Sequence, residues 1–213
     1  MQQFLFLTSK VADGGMGFIT TPHARVAKNR KHFVKTHGIN LENVVSLKQI
    51  HGSIIRVVTA KDRGKGASTY TTALEGDALV TNTPRVFLSV VAADCNQIAL
   101  FDPKQKALAL IHAGRRGLEK EIVKKTVFIM RKEFTSDPKN IVAKFGPSIC
   151  PQCYFKNIWD EAEKQLIETE VLLTNIDNPK LCTFENEIYF SHRRFVIKNL
   201  PTDERFWTIA GLL

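Results

Sequence analysis

The stretch ALVTNTPRVFLSVVAADCNQIALFDPKQKALALIHA, residues 78–113, decides the architecture. Four apolar runs, at residues 78–80, 86–92, 98–101 and 107–111, are split by turn formers such as Asn82-Thr83-Pro84 and Asp102-Pro103. Runs this apolar, with little polar alternation, predict short strands covered on both faces. A sheet of that kind needs a second layer on each side, so the stretch predicts a layered fold.

The flanks supply the layers. Residues 117–134 carry Ile122, Val123, Val127, Ile129 and Met130 at helical spacing and predict one long amphipathic helix. Residues 24–37 predict a second, with Val26, Phe33 and Val34 near one face and Gly38 placed to end it. A third is expected at 157–168. Strands are expected at 4–7, 18–20, 44–47, 54–59, 141–145, 181–184, 188–190 and 206–210. The polar, glycine-containing segment 61–73 (KDRGKGASTYTTA) reads as an exposed loop, and GKGAS lacks the spacing and context of a phosphate-binding loop. Hairpin-like and helix-connected strands together give an α+β (mixed α/β) fold, layered mixed β-sheets flanked by helices, in one domain spanning 1–213.

Bulk properties narrow the function. At 213 residues the chain can bury enough surface to be stable without a disulfide or a structural metal, so a bound metal is free to be catalytic. Thirty Lys and Arg against 21 acidic residues give a net charge of +9, which favours anionic partners. The basic residues (Lys28, Arg30, Lys31, Lys35; Lys120, Lys124, Lys125, Arg131, Lys132) are scattered along helices and read as solvated faces, so no nucleic-acid partner is expected. Four cysteines are too few and too irregular for a stapled secreted domain. The N-terminal stretch lacks a basic leader region, and no run of about 18 apolar residues occurs. A reduced, cytoplasmic protein with no membrane partner, a monomer or small homo-oligomer, is expected.

Three metal-ligand residue types end apolar strands: His51 in KQIHG, Cys95 in VAADCNQ and His112 in ALIHAGRRG. Two imidazoles and a thiolate suit tetrahedral zinc and leave one position open, the catalytic pattern; such an ion lowers the pKa of a bound water to about 7. The same residue types also serve as ordinary packing groups, and Cys95 with His112 or His51 as its base equally suits a thiol-dependent hydrolase. The residues alone leave these readings open. Cys150 and Cys153 form C-P-Q-C, but with no second C-x-x-C they read as reduced, packed thiols.

The strings KQIHG, GDALVTNTP, VAADCNQIALFDP, ALIHAGRRG, GPSICPQCYF, CTFENEIYFSHRR and ERFWTIAGLL occur in the order in which the YfiH-like family carries its motifs. The chain resembles that family, also called laccase-domain or multicopper polyphenol oxidase-like, from about Lys28 onward. The resemblance implies a zinc site of His51, Cys95 and His112, which are also the catalytic residues. It implies purine nucleoside phosphorylase activity on adenosine, inosine, guanosine and methylthioadenosine, with adenosine deamination besides, and so nucleoside and phosphate as partners. Attack on a purine carbon at such a site has a parallel in the zinc deaminases. Phosphorolysis also needs a cationic cradle; Arg116 and Arg193, in the matching HAG and SHRR motifs, are the candidates. Gln49 and Asp77 join them as substrate-side residues, and Asp77 and Asp94 are also placed to orient a metal-bound imidazole. His192 stands where the family often has Tyr and is expected at the rim; no catalytic role is expected for His23, His32 or His37.

The departures are Arg115, where the family has Trp, a shorter N-terminal glycine segment, and a shorter connection between Glu168 and Leu181. Three alternatives stand beside the zinc enzyme: a copper-dependent polyphenol oxidase, to which six histidines are an obstacle; a Cys95/His112-dependent hydrolase acting on cell-wall precursors; and a non-catalytic protein with a degenerated site.

Overall fold

Two mixed sheets stacked face to face occupy the centre of the computed structural model, which describes residues 4–213. Residues 1–3, which open the stretch read above for a leader, lie outside the described residues. Eleven strands and five helices follow in chain order: β1 (Phe4–Thr8), α1 (His23–Thr36), β2 (Val44–Lys48), β3 (Ile55–Val57), β4 (Leu74–Glu75), β5 (Ala78–Thr81), β6 (Phe87–Ala92), β7 (Asn96–Asp102), β8 (Ala107–Ala113), α2 (Arg115–Glu119), α3 (Ile122–Phe134), β9 (Val142–Phe145), α4 (Ile158–Glu168), β10 (Ile176–Asp177), α5 (His192–Lys198) and β11 (Phe206–Leu212). The first sheet has the order β1-β11-β6-β2-β4 and the second β10-β9-β7-β8-β5-β3. Each contains parallel and antiparallel pairs, as in β2 beside β6 and β7 beside β8. The fold is the expected mixed α+β single domain.

Strand alternation sorts the apolar side chains into layers. On β8, Leu108 and Leu110 face the first sheet, where they meet Val45, Leu88 and Val90. Ala107, Ala109, Ile111 and Ala113 face the other way, against Val123, Val127 and Met130 of α3 and Trp159 and Leu166 of α4. On β11, Trp207 and Ile209 turn outward to Phe33 and Val34 of α1. The order is therefore helix, sheet, sheet, helices. Every residue of β7 and β8 is buried, which is why the deciding stretch reads as continuous apolar runs.

Several expectations need correction. The helix expected over 117–134 is two helices, α2 and α3, because Glu121 adopts a left-handed conformation (φ 57). That break lets α2 cap the end of β8 while α3 packs its apolar face on the second sheet. Residues 18–20 form a turn on the Gly17 carbonyl instead of a strand. The strands expected at 181–184 and 188–190 are also turns, since Asn186 N–H bonds Cys182 O and Tyr189 N–H bonds Asn186 O; one bridge, Ser148 with Cys182, remains. Helix α5 and strands β4 and β10 lie outside the expected elements.

Segment 61–73 is not simply exposed, for Gly66 and Ala67 are buried and their carbonyls accept bonds from Arg30 at 2.9 and 3.1 Å. Arg30 leaves the solvated face assigned to it. It is 3% exposed, sandwiched 4.6 Å from both the Phe18 and Trp207 rings, and it also bonds Met16 O and Ser46 Oγ. Burial pulls its pKa down to about 9, which still leaves it charged at neutral pH. Among the described residues no helix is long and apolar enough to cross a membrane, and all four cysteines are free.

Candidate metal centre

Two of the three candidate ligands sit on links that pass from one sheet to the other. His51 lies between β2 of the first sheet and β3 of the second, and Cys95 between β6 and β7; His112 ends β8. His51 has φ 56, and the backbone N–H groups of His51 and Gly52 converge on the Asp77 carboxylate at 3.0 and 2.7 Å. Gly114 makes room beside the thiol, because a Cβ there would stand 2.7 Å from Cys95 Sγ. The ligand atoms of His51, Cys95 and His112 all lie within 4.8 Å of one another, and the two imidazoles cross edge to face at 87°.

Asp77 is fully buried and fixes the state of His112. Its Oδ1 stands 2.9 Å from His112 Nδ1, and a carboxylate accepts, so the proton is on Nδ1 and Nε2 is left for a metal. Burial opposes charge on both Cys95 and His112, but their mutual attraction prevails. The His112 charge, with hydrogen bonds from both histidines, draws the Cys95 thiol down to about 6; the Cys95 thiolate and Asp77 push His112 up to about 9. A thiolate and two imidazoles within tetrahedral reach suit zinc, and their softness also admits Cu(I).

The centre opens into a cavity of about 710 Å³ that is also lined by Gln49, Asp94, Arg115, Arg116, Arg193, Arg205, His192, Phe18, Tyr70 and Tyr154. Arg116 and Arg193 thus reach the same space as the ligand triad, and both are exposed. Arg115, which departs from the family's Trp, reaches Glu119 at 3.1 Å and lies 5.9 Å from the Phe155 ring. Gln49 lines the cavity, yet both ends of its amide are held by the Val91 backbone, at 2.8 and 2.7 Å. Asp77 sits beneath His112, in the orienting position of the two considered for it. Asp94 does not orient a histidine: Oδ1 accepts from Thr183 Oγ1 and Oδ2 from Arg193 N–H, so it secures the start of α5. His192 reaches the rim and pairs with Asp203 at 2.9 Å. His23, His32 and His37 are exposed and outside the ligand group.

Reading the sequence missed Arg205, Tyr154, Phe18 and Tyr70, aromatic and cationic wall residues that carry no spacing signal. It also missed buried Arg194, whose guanidinium holds the carbonyls of Thr183, Phe184 and Tyr189 and so shapes the loop before α5.

Residues 17–157 match the family described as multi-copper polyphenol oxidoreductase laccase. The chain belongs to this family. The purine nucleoside phosphorylase YlmD of Bacillus subtilis (strain 168) is 37% identical over 132 residues, 62% of this chain and 48% of that protein. The purine nucleoside phosphorylase SCO2081 of Streptomyces coelicolor is 36% identical over 61% of this chain and 50% of its own length. These matches span about half the length of the curated family relatives. Among solved family structures, YlmD of Geobacillus stearothermophilus superposes with a TM-score of 0.91 at 26% identity, covering 99% of this chain and 92% of that one. YfiH of Bacillus licheniformis, described as a hypothetical protein, gives 0.88 at 26% identity, covering 93% and 85%.

Proposed function

We propose that this chain is a cytoplasmic, zinc-dependent purine nucleoside phosphorylase acting on adenosine, inosine, guanosine and methylthioadenosine, with adenosine deamination as a second reaction, as a monomer or small homo-oligomer. One observation carries the reading: His51, Cys95 and His112 converge on a cavity that also presents Arg116 and Arg193. The names of the relatives from Bacillus subtilis and Streptomyces coelicolor support it. A zinc ion on the three ligands would supply a Lewis acid. Arg116 and Arg193 hold the phosphate dianion by charge-assisted hydrogen bonds. Phe18, Tyr70 and Tyr154 offer aromatic faces to the purine. In phosphorolysis a phosphate oxygen bonds to the anomeric carbon as the glycosidic C–N bond breaks, and the bonding pair leaves with the base.

A second reading rests on a specific observation too. Cys95, His112 and Asp77 form a thiolate, an imidazolium and an orienting carboxylate, the arrangement of a thiol hydrolase, here one acting on cell-wall precursors. The copper polyphenol oxidase reading is less favoured, since among the described residues the ligand group holds two imidazoles and one thiolate.

Metal content, measured together with phosphate-dependent release of base from adenosine and inosine, tests the proposal in the wild type and in Cys95→Ala. Phosphorolysis that disappears on chelation and in Cys95→Ala is the expected result. Absence of phosphorolysis, with hydrolysis of a cell-wall precursor that survives chelation but not Cys95→Ala, would establish the thiol hydrolase instead.

A further inference from the structure

A second group of soft ligands lies apart from the catalytic triad. Cys150 and Cys153 belong to the turn after β9, where Cys153 N–H bonds Cys150 O at 3.1 Å. Cys182 and Glu185 belong to the turn that replaces an expected strand. The fold joins these turns through the Ser148–Cys182 bridge, in which Ser148 N–H bonds Leu181 O and Thr183 N–H bonds Ser148 O. Three thiols and one carboxylate then have ligand atoms within 4.8 Å of one another. The C-x-x-C that lacked a partner in the sequence finds one in C-x-x-E, at the same spacing.

The dimensions are those of a metal site. Tetrahedral zinc, with Zn–S of about 2.3 Å and Zn–O of about 2.0–2.2 Å, sets its ligands roughly 3.5–3.8 Å apart. Glu185 Oε1 stands 3.6 Å from Cys153 Sγ and 4.0 Å from Cys150 Sγ. Cys150 and Cys182 are buried, Cys153 is half-buried and Glu185 is exposed, so the thiols form an inner cup and the carboxylate a lid reachable from solvent.

The geometry points to a structural zinc site formed by Cys150, Cys153, Cys182 and Glu185. Binding displaces the three thiol protons to solvent and leaves three thiolates and the carboxylate on the ion. Four protein ligands fill the tetrahedron, so the ion holds structure and has no position open for substrate. What it holds is the cavity wall. Ile149 and Tyr154, on either side of the first turn, line the cavity. From the second turn, Thr183 bonds the side chain of Asp94, which also receives Arg193 N–H, while Ile149 N–H bonds Asp94 O. The ion fastens both turns to the residue preceding Cys95.

Zinc analysis of wild type, Cys95→Ala, Cys153→Ser and the double variant, all purified under reducing conditions, tests the assignment. The expected contents are about two, one, one and zero equivalents per chain. Cys95→Ala removes only the catalytic ligand, so one equivalent in both wild type and Cys95→Ala, lost in Cys153→Ser, would support the structural site while the catalytic one fails. A metal-free Cys95→Ala protein, or a Cys153→Ser protein with as much zinc as wild type, would overturn the assignment. Should Cys153→Ser fail to fold, cobalt added to chelator-stripped Cys95→Ala decides: an intense thiolate-to-cobalt charge-transfer band is expected, and its absence overturns the site.

Discussion

The Asp77 carboxylate receives the Nδ1 proton of His112 at 2.9 Å while both side chains are buried, and it also receives the backbone N–H groups of His51 and Gly52. One carboxylate thus sets the tautomer of one ligand and the backbone of another. Asp77→Asn preserves size but removes the negative acceptor. Its zinc affinity, measured by competition with a chromophoric chelator, should fall about 10–100-fold, the usual cost of losing such a partner. Unchanged affinity would mean that His112 is fixed by packing alone.

The Cys95 thiol should titrate far below an ordinary one. In chelator-treated protein its pKa, drawn down from the ordinary 9.0 to about 6 by the charge on His112 against the opposition of burial, keeps it ionised across neutral pH. Only the thiolate reacts with iodoacetamide. Labelling of Cys95, followed by peptide mass spectrometry, should rise with pH to half its maximum near 6 and be nearly flat from 7 to 8. In His112→Ala the midpoint should move upward, because burial then acts with less opposition. A wild-type midpoint near 9 would contradict the pairing with His112.

Arg193 and Arg116 separate the two proposed reactions. A charge-assisted hydrogen bond contributes about 1.5–3 kcal/mol, so either alanine variant should lose roughly 10–100-fold in kcat/KM for phosphate. Adenosine deamination uses no phosphate and should change much less. Equal losses in both reactions would assign these arginines to the shape of the cavity instead of to phosphate.

Arg30 carries a structural prediction. Its guanidinium serves Met16 O, Gly66 O, Ala67 O and Ser46 Oγ from a buried position between two rings. Arg30→Met keeps much of the volume but strands several buried acceptors, at a cost of about 3 kcal/mol or more. For a domain of this size that corresponds to a melting temperature lower by about 6–12 °C. A shift under a degree or two would show that water replaces the guanidinium.

How much of this was legible follows from where each signal resides. Strands β5 to β8 were readable because burial on both faces makes their composition apolar without a break. The helix break at Glu121 was not, since residues 117–134 all suit a helix and the left-handed residue is imposed by two packing surfaces. Residues 181–184 and 188–190 have strand composition, but local turns consume their backbone groups. Helix α5 carried only a capping signal, Ser191, which accepts from Arg194 N–H at 3.1 Å. For the candidate metal centre, residue type and strand-end position picked out His51, Cys95 and His112 but left packing and thiol chemistry open; the family resemblance supplied the ligand reading. The Cys150–Glu185 group stayed hidden because its halves lie about thirty residues apart and are brought together by tertiary contacts, the Ser148–Cys182 bridge among them.

His51 and Cys95 lie on two of the six links that carry the chain between the sheets, and that placement would make binding of the proposed ion a late event in folding. Neither sheet alone gathers three donors, so the donor set exists only once the layers have docked in register. Affinity for the proposed ion would then act as a latch on the assembled sandwich: each tenfold excess of free ion over its dissociation constant would add about 1.4 kcal/mol against separation of the layers. A chain that collapses with its sheets out of register has no place to put such an ion, so loading with the proposed metal would select for correctly assembled molecules.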